Sequence, residues 1–305
     1  MSDPPGVDEV LTLHIDTLTP LRAPVLVVAL TGWFDVAGVA TTALERLAPE
    51  GRAVTIGEID PDPFYDFTQE RPLVEITDDD LPEITWPSNT IRAVRTGDRH
   101  DLVVLSGVEP HLGWQTYVAS VRRIVEHVGC EAVLTLGANA DTVPHTRVPL
   151  VVGSTADGAL ARAMALSPPT YQGVTGLLGV LNAQLGAPSP ASAATSSGRT
   201  VPVVSLRVGV PHYLGHAEHP RAVGALLRHV AHVLGLSMSF DFTDEIERWG
   251  SLHDEAIEDD AQLRAYVAML EAEYDRRARA TLDAASGDDL AARFEEYLRD
   301  QRDDG

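Results

Sequence analysis

Apolar runs rich in Val, Ile and Leu recur at residues 24–31, 53–59, 101–106, 131–136, 148–152 and 201–208. They are continuous and do not alternate with polar positions, which is the pattern of strands buried on both faces of a mainly parallel sheet. Between them the apolar spacing lengthens to that of amphipathic helices at 36–47, 114–127, 155–166, 175–185 and 220–234. Regular alternation of strand and helix predicts an α/β fold, a three-layer αβα domain with a mainly parallel sheet, over residues 1–240. Residues 73–94, interrupted by Pro82 and Pro87, read as an antiparallel hairpin at one sheet edge.

After Phe240 the pattern becomes helical throughout. Leu263, Val267, Leu270 and Tyr274 fall at i, i+4, i+7 and i+11 on an otherwise highly charged segment, so that helix presents one apolar stripe to a partner surface. Residues 288–305 read as a last helix that frays into an acidic end, making 241–305 an acidic C-terminal helical appendage. The small, polar, turn-rich run 186–200 reads as a flexible loop before the last strand.

A chain of 305 residues can bury a full core without staples. All 23 basic residues are arginine, and the absence of lysine removes a P-loop lysine, a Schiff base and a lysine general base from the mechanisms available. The net charge of −22 opposes binding to nucleic acid or an anionic membrane. Residues 241–305 hold 20 acidic and 8 basic side chains, so the appendage carries more than half of that charge. No apolar run approaches the roughly 20 residues that span a bilayer, and the N-terminus lacks the basic and apolar regions of a signal peptide; the expectation is a cytoplasmic protein. The single cysteine, Cys130, excludes an internal disulfide and reads as a small core or surface thiol.

Four strand-to-helix turns carry the polar residues that could do chemistry, since ligands of open parallel sheets bind where the carboxyl ends of strands gather. The first, TGWFDVAG at 31–38, fails both the dinucleotide pattern, because Trp33 and Phe34 follow Gly32, and the P-loop pattern, because Val39 follows Gly38. Asp35 is expected to cap a helix beginning at Val36, and Gly38 to allow close packing on the sheet. Trp33 has no core stripe to join, which suits a pocket wall or a subunit contact. The second turn offers Glu109 and His111. The third offers Asn139, Asp141, His145 and Arg147, the arginine being suited to hold a carboxylate or another subunit's acidic group. The fourth offers His212, Tyr213, His216 and His219, whose spacing matches metal ligation only loosely; no H-E-x-x-H motif and no G-x-S-x-G elbow is present, so no metal and no cofactor is expected.

The stretches LVVALTGWFDVAGVATTAL, LSGVEPHLGWQTYVASV, VLTLGANADTVPHTRVPLVVG, YQGVTGLLGVLNAQLG and VPVVSLRVGVPHYLGHAEHPRAVGALLRHVAHVLGL, followed by YVAMLEAEYDRRA, together resemble the second type of the proteasome assembly chaperone family in its actinobacterial branch. The resemblance covers roughly residues 20–280. It implies a fold similar in topology to nucleoside phosphorylases and related hydrolases, with an added helical part. Eukaryotic and archaeal members act as chaperones in assembly of the proteasome α-ring and form dimers or higher oligomers; for the actinobacterial branch the resemblance implies a homotrimer and no established activity. Two departures stand out. The chain ends RDQRDDG where docking members carry a hydrophobic-Tyr-X tail, and the loop at 186–200 is longer than the family's usual link. The expectation is therefore a non-enzymatic homo-oligomer acting through protein–protein contacts, with proteasome subunits as candidate partners. The alternative is a small-molecule binder or a hydrolase-like or phosphorylase-like enzyme with Asp35, Glu109, His145 and His212 above the strand ends.

Overall fold

The computed structural model describes residues 5–15, 19–77, 79–164, 166–187, 201–214, 218–282 and 290–303. Its centre is a sheet of eight strands: β1 (Leu11–Leu13), β2 (Val25–Thr31), β3 (Ala53–Ile59), β6 (Asn89–Val94), β7 (Leu102–Val108), β8 (Ala132–Asp141), β9 (Val151–Ser154) and β10 (Val203–Pro211). The spatial order is β1-β3-β6-β7-β2-β8-β10-β9. The pairs β7/β2, β2/β8 and β8/β10 are parallel, while β1, β6 and β9 run against their neighbours. The four central strands are the predicted apolar runs, and burial on both faces explains their composition: Val25 to Ala29 are all fully buried.

Alternate residues of these strands feed two cores. Val25, Val27, Leu134, Leu206 and Val208 pack against α2 (Val39–Leu47), α4 (Gly158–Met164) and α6 (Pro220–Leu234). Leu26, Val28, Val103 and Leu105 pack against α3 (Trp114–Val128) and α5 (Leu177–Leu185). Each large apolar side chain removed from water in this way contributes roughly 1.5–3 kcal/mol before conformational entropy is charged against it. The three-layer α/β arrangement is therefore present, and a short helix α1 (Val7–Val10) precedes it.

The expected edge hairpin is not part of the sheet. Pro82 opens β5 (Pro82–Thr85), which pairs only with β4 (Leu73–Ile76) in a separate two-stranded ribbon whose eight residues are all exposed. Pro87 ends that excursion, and the next residues form β6, an interior strand whose burial alternates as Asn89, Ile91 and Ala93 turn inward. An antiparallel hairpin does form within 73–94, but it stands apart from the sheet, with Pro82 at the start of its second strand and Pro87 just after its end. The run 186–200 lies, beyond Ala187, outside the described residues.

The C-terminal region forms α7 (Thr243–Glu258), α8 (Ala261–Leu282) and α9 (Leu290–Asp303). Val267 and Leu270 of the expected stripe are buried. Phe294, Tyr297 and Leu298 of α9 join the core shared by α2, α4 and α6, and the Tyr297 hydroxyl donates to Asp157 at 2.5 Å. No helix among the described residues is long and apolar enough to cross a membrane. Cys130 is buried, and burial pushes its thiol up to about 12.

Candidate functional site

The connection leaving β2 heads toward β3, and that leaving β8 heads the opposite way toward β9, so the strand order reverses between β2 and β8. Such a reversal opens a crevice at the carboxyl ends, the usual ligand position of this architecture. Here β2 and β8 stay paired only as far as Val28 and Thr135. The TGWFDVAG turn then folds back into the gap: the Ala138 N–H donates to the Phe34 carbonyl at 2.6 Å, and Asp35 forms a parallel bridge with Ala138. A Cβ on Gly137 would stand 3.4 Å from the Phe34 carbonyl oxygen, in ordinary contact with the turn. From the far side the Arg207 guanidinium lies 4.1 Å from the centre of the Phe34 ring.

Asp35 caps a helix, but not one that starts at Val36. Residues Val36–Gly38 make a single 3-10 turn, Ala37 and Gly38 take left-handed φ of 59° and 63°, and α2 begins only at Val39. The Asp35 carboxylate reaches over that kink to accept from the N–H groups of Ala40 at 2.7 Å and Thr41 at 3.2 Å, and from the Thr41 hydroxyl at 2.5 Å. Burial pushes the Asp35 carboxyl above the ordinary aspartate value, against the hydrogen bonds that favour its charge. Gly38 is required for its positive φ and not for close packing, since the nearest atoms to where its Cβ would be are the Thr41 and Thr42 hydroxyl oxygens, in ordinary contact at 3.9 Å.

Glu109 is a staple between two other turns. One carboxylate oxygen accepts from the Trp33 N–H at 2.9 Å and the other from the Leu177 N–H at the start of α5. A Cβ on Gly32 would fall 2.5 Å from that carboxylate, which explains the glycine there. His111 lies in the same loop, its Nδ1 accepting from the Asp66 N–H at 3.2 Å. Trp33 itself is 64% exposed.

The remaining candidates meet at a seam with the C-terminal helices. Arg147 donates Nε and Nη2 to the two oxygens of Asp275 at 3.0 and 3.1 Å and Nη1 to Glu271 at 3.1 Å, so it does hold carboxylates, and they belong to α8 of the same chain. The hydrogen bonds with Asp275, joined by the two nearby negative charges, raise its guanidinium above the ordinary value. His145 is buried; its Nδ1 meets the Tyr213 hydroxyl at 2.9 Å and its Nε2 meets Asp254 of α7 at 3.1 Å. Burial lowers the His145 imidazole, with Asp254 pulling the other way, and burial lifts the Tyr213 phenol to about 12. His212 contacts the Asp141 carbonyl at 3.1 Å and stands edge-on to Tyr266 of α8. Trp249 of α7 packs its indole on His219 and His253 at 4.4 and 4.3 Å between ring centres.

The structure thus brings His145 and Tyr213 together, with His212 edge-on to Tyr213, and engages Asp35 and Glu109 in separate turns. Asp254, Trp249, Glu271 and Asp275 were missed as their partners. The stripe on α8 announced a packed helix, but nothing in a single sequence pairs an acidic residue there with one arginine over a hundred residues earlier. His216 lies outside the described residues, and among those described no cluster of three metal-ligating side chains occurs.

A family model described as the PAC2 family matches residues 29–256, well over half of the chain. The chain belongs to the PAC2 family. Among solved structures, this PAC2 member is 32% identical to a PAC2 family protein from Streptomyces avermitilis, with 80% of this chain and 99% of that one covered at a TM-score of 0.69. It is 33% identical to a proteasome-assembly chaperone homologue of Mycobacterium tuberculosis, with the same coverage and a TM-score of 0.68. An archaeal proteasome activator from Pyrococcus furiosus, 17% identical over 82% of this chain and 97% of that one, shares the fold at a TM-score of 0.58. No curated protein matches the chain.

Proposed function

We propose that this PAC2 member is a non-enzymatic, cytoplasmic homo-oligomer that acts through protein–protein contacts in the manner of an assembly chaperone, with proteasome subunits as candidate partners and a trimer as the expected oligomer. The observation that carries this reading is an inversion at the carboxyl end of the sheet. Polar side chains there are turned to internal bonding, while large apolar ones face solvent. On the three stretches that Glu109 joins, Trp33, Leu112, Tyr171 and Val174 are 64%, 55%, 69% and 77% exposed. Grouped exposure of this kind marks contact surfaces more often than catalytic ones. Family membership supports the same reading, and the M. tuberculosis homologue bears the name of a proteasome-assembly chaperone.

Pull-down from native lysate with quantitative mass spectrometry tests the proposal, and light scattering reads the oligomer. Proteasome α-subunits are expected above a charge-matched control, with enrichment lost in a Trp33→Asp, Tyr171→Asp variant. Equal recovery with the control would refute the proteasome part, and a monomer at micromolar concentration the oligomer.

A further inference from the structure

The ribbon of β4 and β5 stands outside the main sheet with all eight residues exposed, and its two faces differ in chemistry. Side chains alternate along each strand, and the register Val74↔Ile84 and Ile76↔Pro82 puts four apolar side chains on one face. Val74, Ile76 and Ile84 are 61%, 66% and 55% exposed there. The other face carries Glu75 directly opposite Glu83, with Leu73 and Thr85 beside them. Like charges so placed repel, and neither carboxylate pairs with an arginine among the described residues. Asp79 and Asp80 in the connecting turn, both exposed, add to the negative charge.

The two edges differ as well. The Thr77 N–H donates to the Leu81 carbonyl at 2.9 Å, so the alternation of an antiparallel ladder makes Glu75/Glu83 and Leu73/Thr85 the bonded pairs. The backbone groups of Val74 and Ile76 therefore point away from β5, and those of Pro82 and Ile84 away from β4. Proline has no N–H, so Pro82 blunts the β5 edge, whereas the β4 edge keeps both donors and both acceptors. A two-stranded ribbon is marginal in water, and a third strand on β4 completes a small sheet with one apolar face. A second copy of this chain suits that edge poorly. Pairing β4 with its own copy about a two-fold axis at Glu75 sets the two Glu75 side chains against each other and gathers four carboxylates on one face.

We propose that the open edge of β4 is a docking site for an extended segment of another protein whose residues alternate between apolar and basic. The backbone of that segment adds a third strand beside Val74 and Ile76, its apolar side chains continue the face of Val74, Ile76 and Ile84, and its cations lie over Glu75 and Glu83. The net charge of −22 draws such a segment in from a distance. The ribbon shares no residue with the Trp33 group of the proposed contact surface, so either can fail alone.

Fluorescence anisotropy of a labelled, end-blocked peptide, Arg-Val-Arg-Ile-Arg-Val, titrated with the full chain tests this. Saturable binding is expected, weakening as salt rises. The same peptide with Glu in place of Arg should bind at least about tenfold more weakly, since attraction becomes repulsion. The Arg peptide N-methylated throughout, which has no N–H to give the edge, should not bind. Val74→Pro removes an outward N–H without touching a bonded pair and should weaken binding by about tenfold at unchanged Tm. Glu75→Gln with Glu83→Gln leaves the backbone intact and should weaken it by about fivefold, as for two exposed ion pairs. Trp33→Asp should leave it unchanged. Equal binding of the Arg and Glu peptides, binding of the N-methylated peptide, full binding by the double glutamine variant, or no saturable binding would each overturn the proposal. Loss of self-association in Val74→Pro would overturn it too, by making a second copy the occupant.

Discussion

Two polar clusters follow parallel strands in this protein, and they do opposite work. Asp35 and Glu109 spend their carboxylates on backbone N–H groups of the turns, the Asp35 partner at Ala40 being only five residues away. His145, Arg147, His212 and Tyr213 reach α7 and α8, the partner of Arg147 lying 128 residues away. The first cluster shapes loops, and the second fastens a region. Polar residues after a strand therefore do not define an active site by position alone; whether the partner is backbone of a neighbouring turn or a side chain of the C-terminal helices separates loop ordering from assembly of the tertiary structure.

The largest test of this contrast concerns whether the C-terminal helices belong to the body. Phe294→Ala removes a fully buried ring of α9 and should cost about 3–5 kcal/mol in denaturant unfolding of the whole chain. A loss under about 1 kcal/mol, or a separate transition for the helices, would mean that the seam joins independent units.

Acid should weaken the seam next. The His219 imidazole is lowered by burial to about 4 from an ordinary 6.5, so the unfolded chain binds its proton first. Stability is then fully present above about 6.5 and declines toward pH 4, by about 2–3 kcal/mol, and the lowered His145 adds in the same direction. His219→Asn, which still caps α6 and does not titrate, should flatten that decline; an unchanged slope would place the titration elsewhere.

Asp35→Ala sharpens the local side. Two N–H groups at the start of α2 lose their acceptor, and a loss of about 1–2 kcal/mol is expected, with hydrogen exchange accelerated in α2 more than in α8. The smallest effect belongs to Arg147→Ala. Its pairs with α8 are half-exposed, so a loss of at most about 1 kcal/mol is expected, falling with salt and seen mainly as faster exchange in α8.

Much of the fold was legible because burial on both faces leaves an unambiguous signature: the runs containing Val25–Thr31 and Leu102–Val108 need no context to be recognised as strands. The ribbon β4/β5 was less so, since Leu73, Val74, Ile76 and Ile84 are as apolar as a core strand and yet remain in water. The kink at Ala37 and Gly38 was illegible because alanine gives no sign of a positive φ. At the site, the types of residue were readable and their partners were not. Arg147 announced a carboxylate, but Asp275 is one of 45 acidic residues, and only the docking of α8 selects it.

The crevice between β2 and β8 carries its own occupant. Phe34 and Asp35 stand where an architecture of this kind admits a ligand, and the same Asp35 also holds the start of α2, so the plug cannot be withdrawn without loosening a core helix. Substituting one side chain would leave the backbone in place. Converting this scaffold into a receptor at that point would therefore demand deletion of a turn together with a new cap for α2, two changes that are each harmful alone. The occupied crevice thus acts as a ratchet against a ligand site at that point of the sheet.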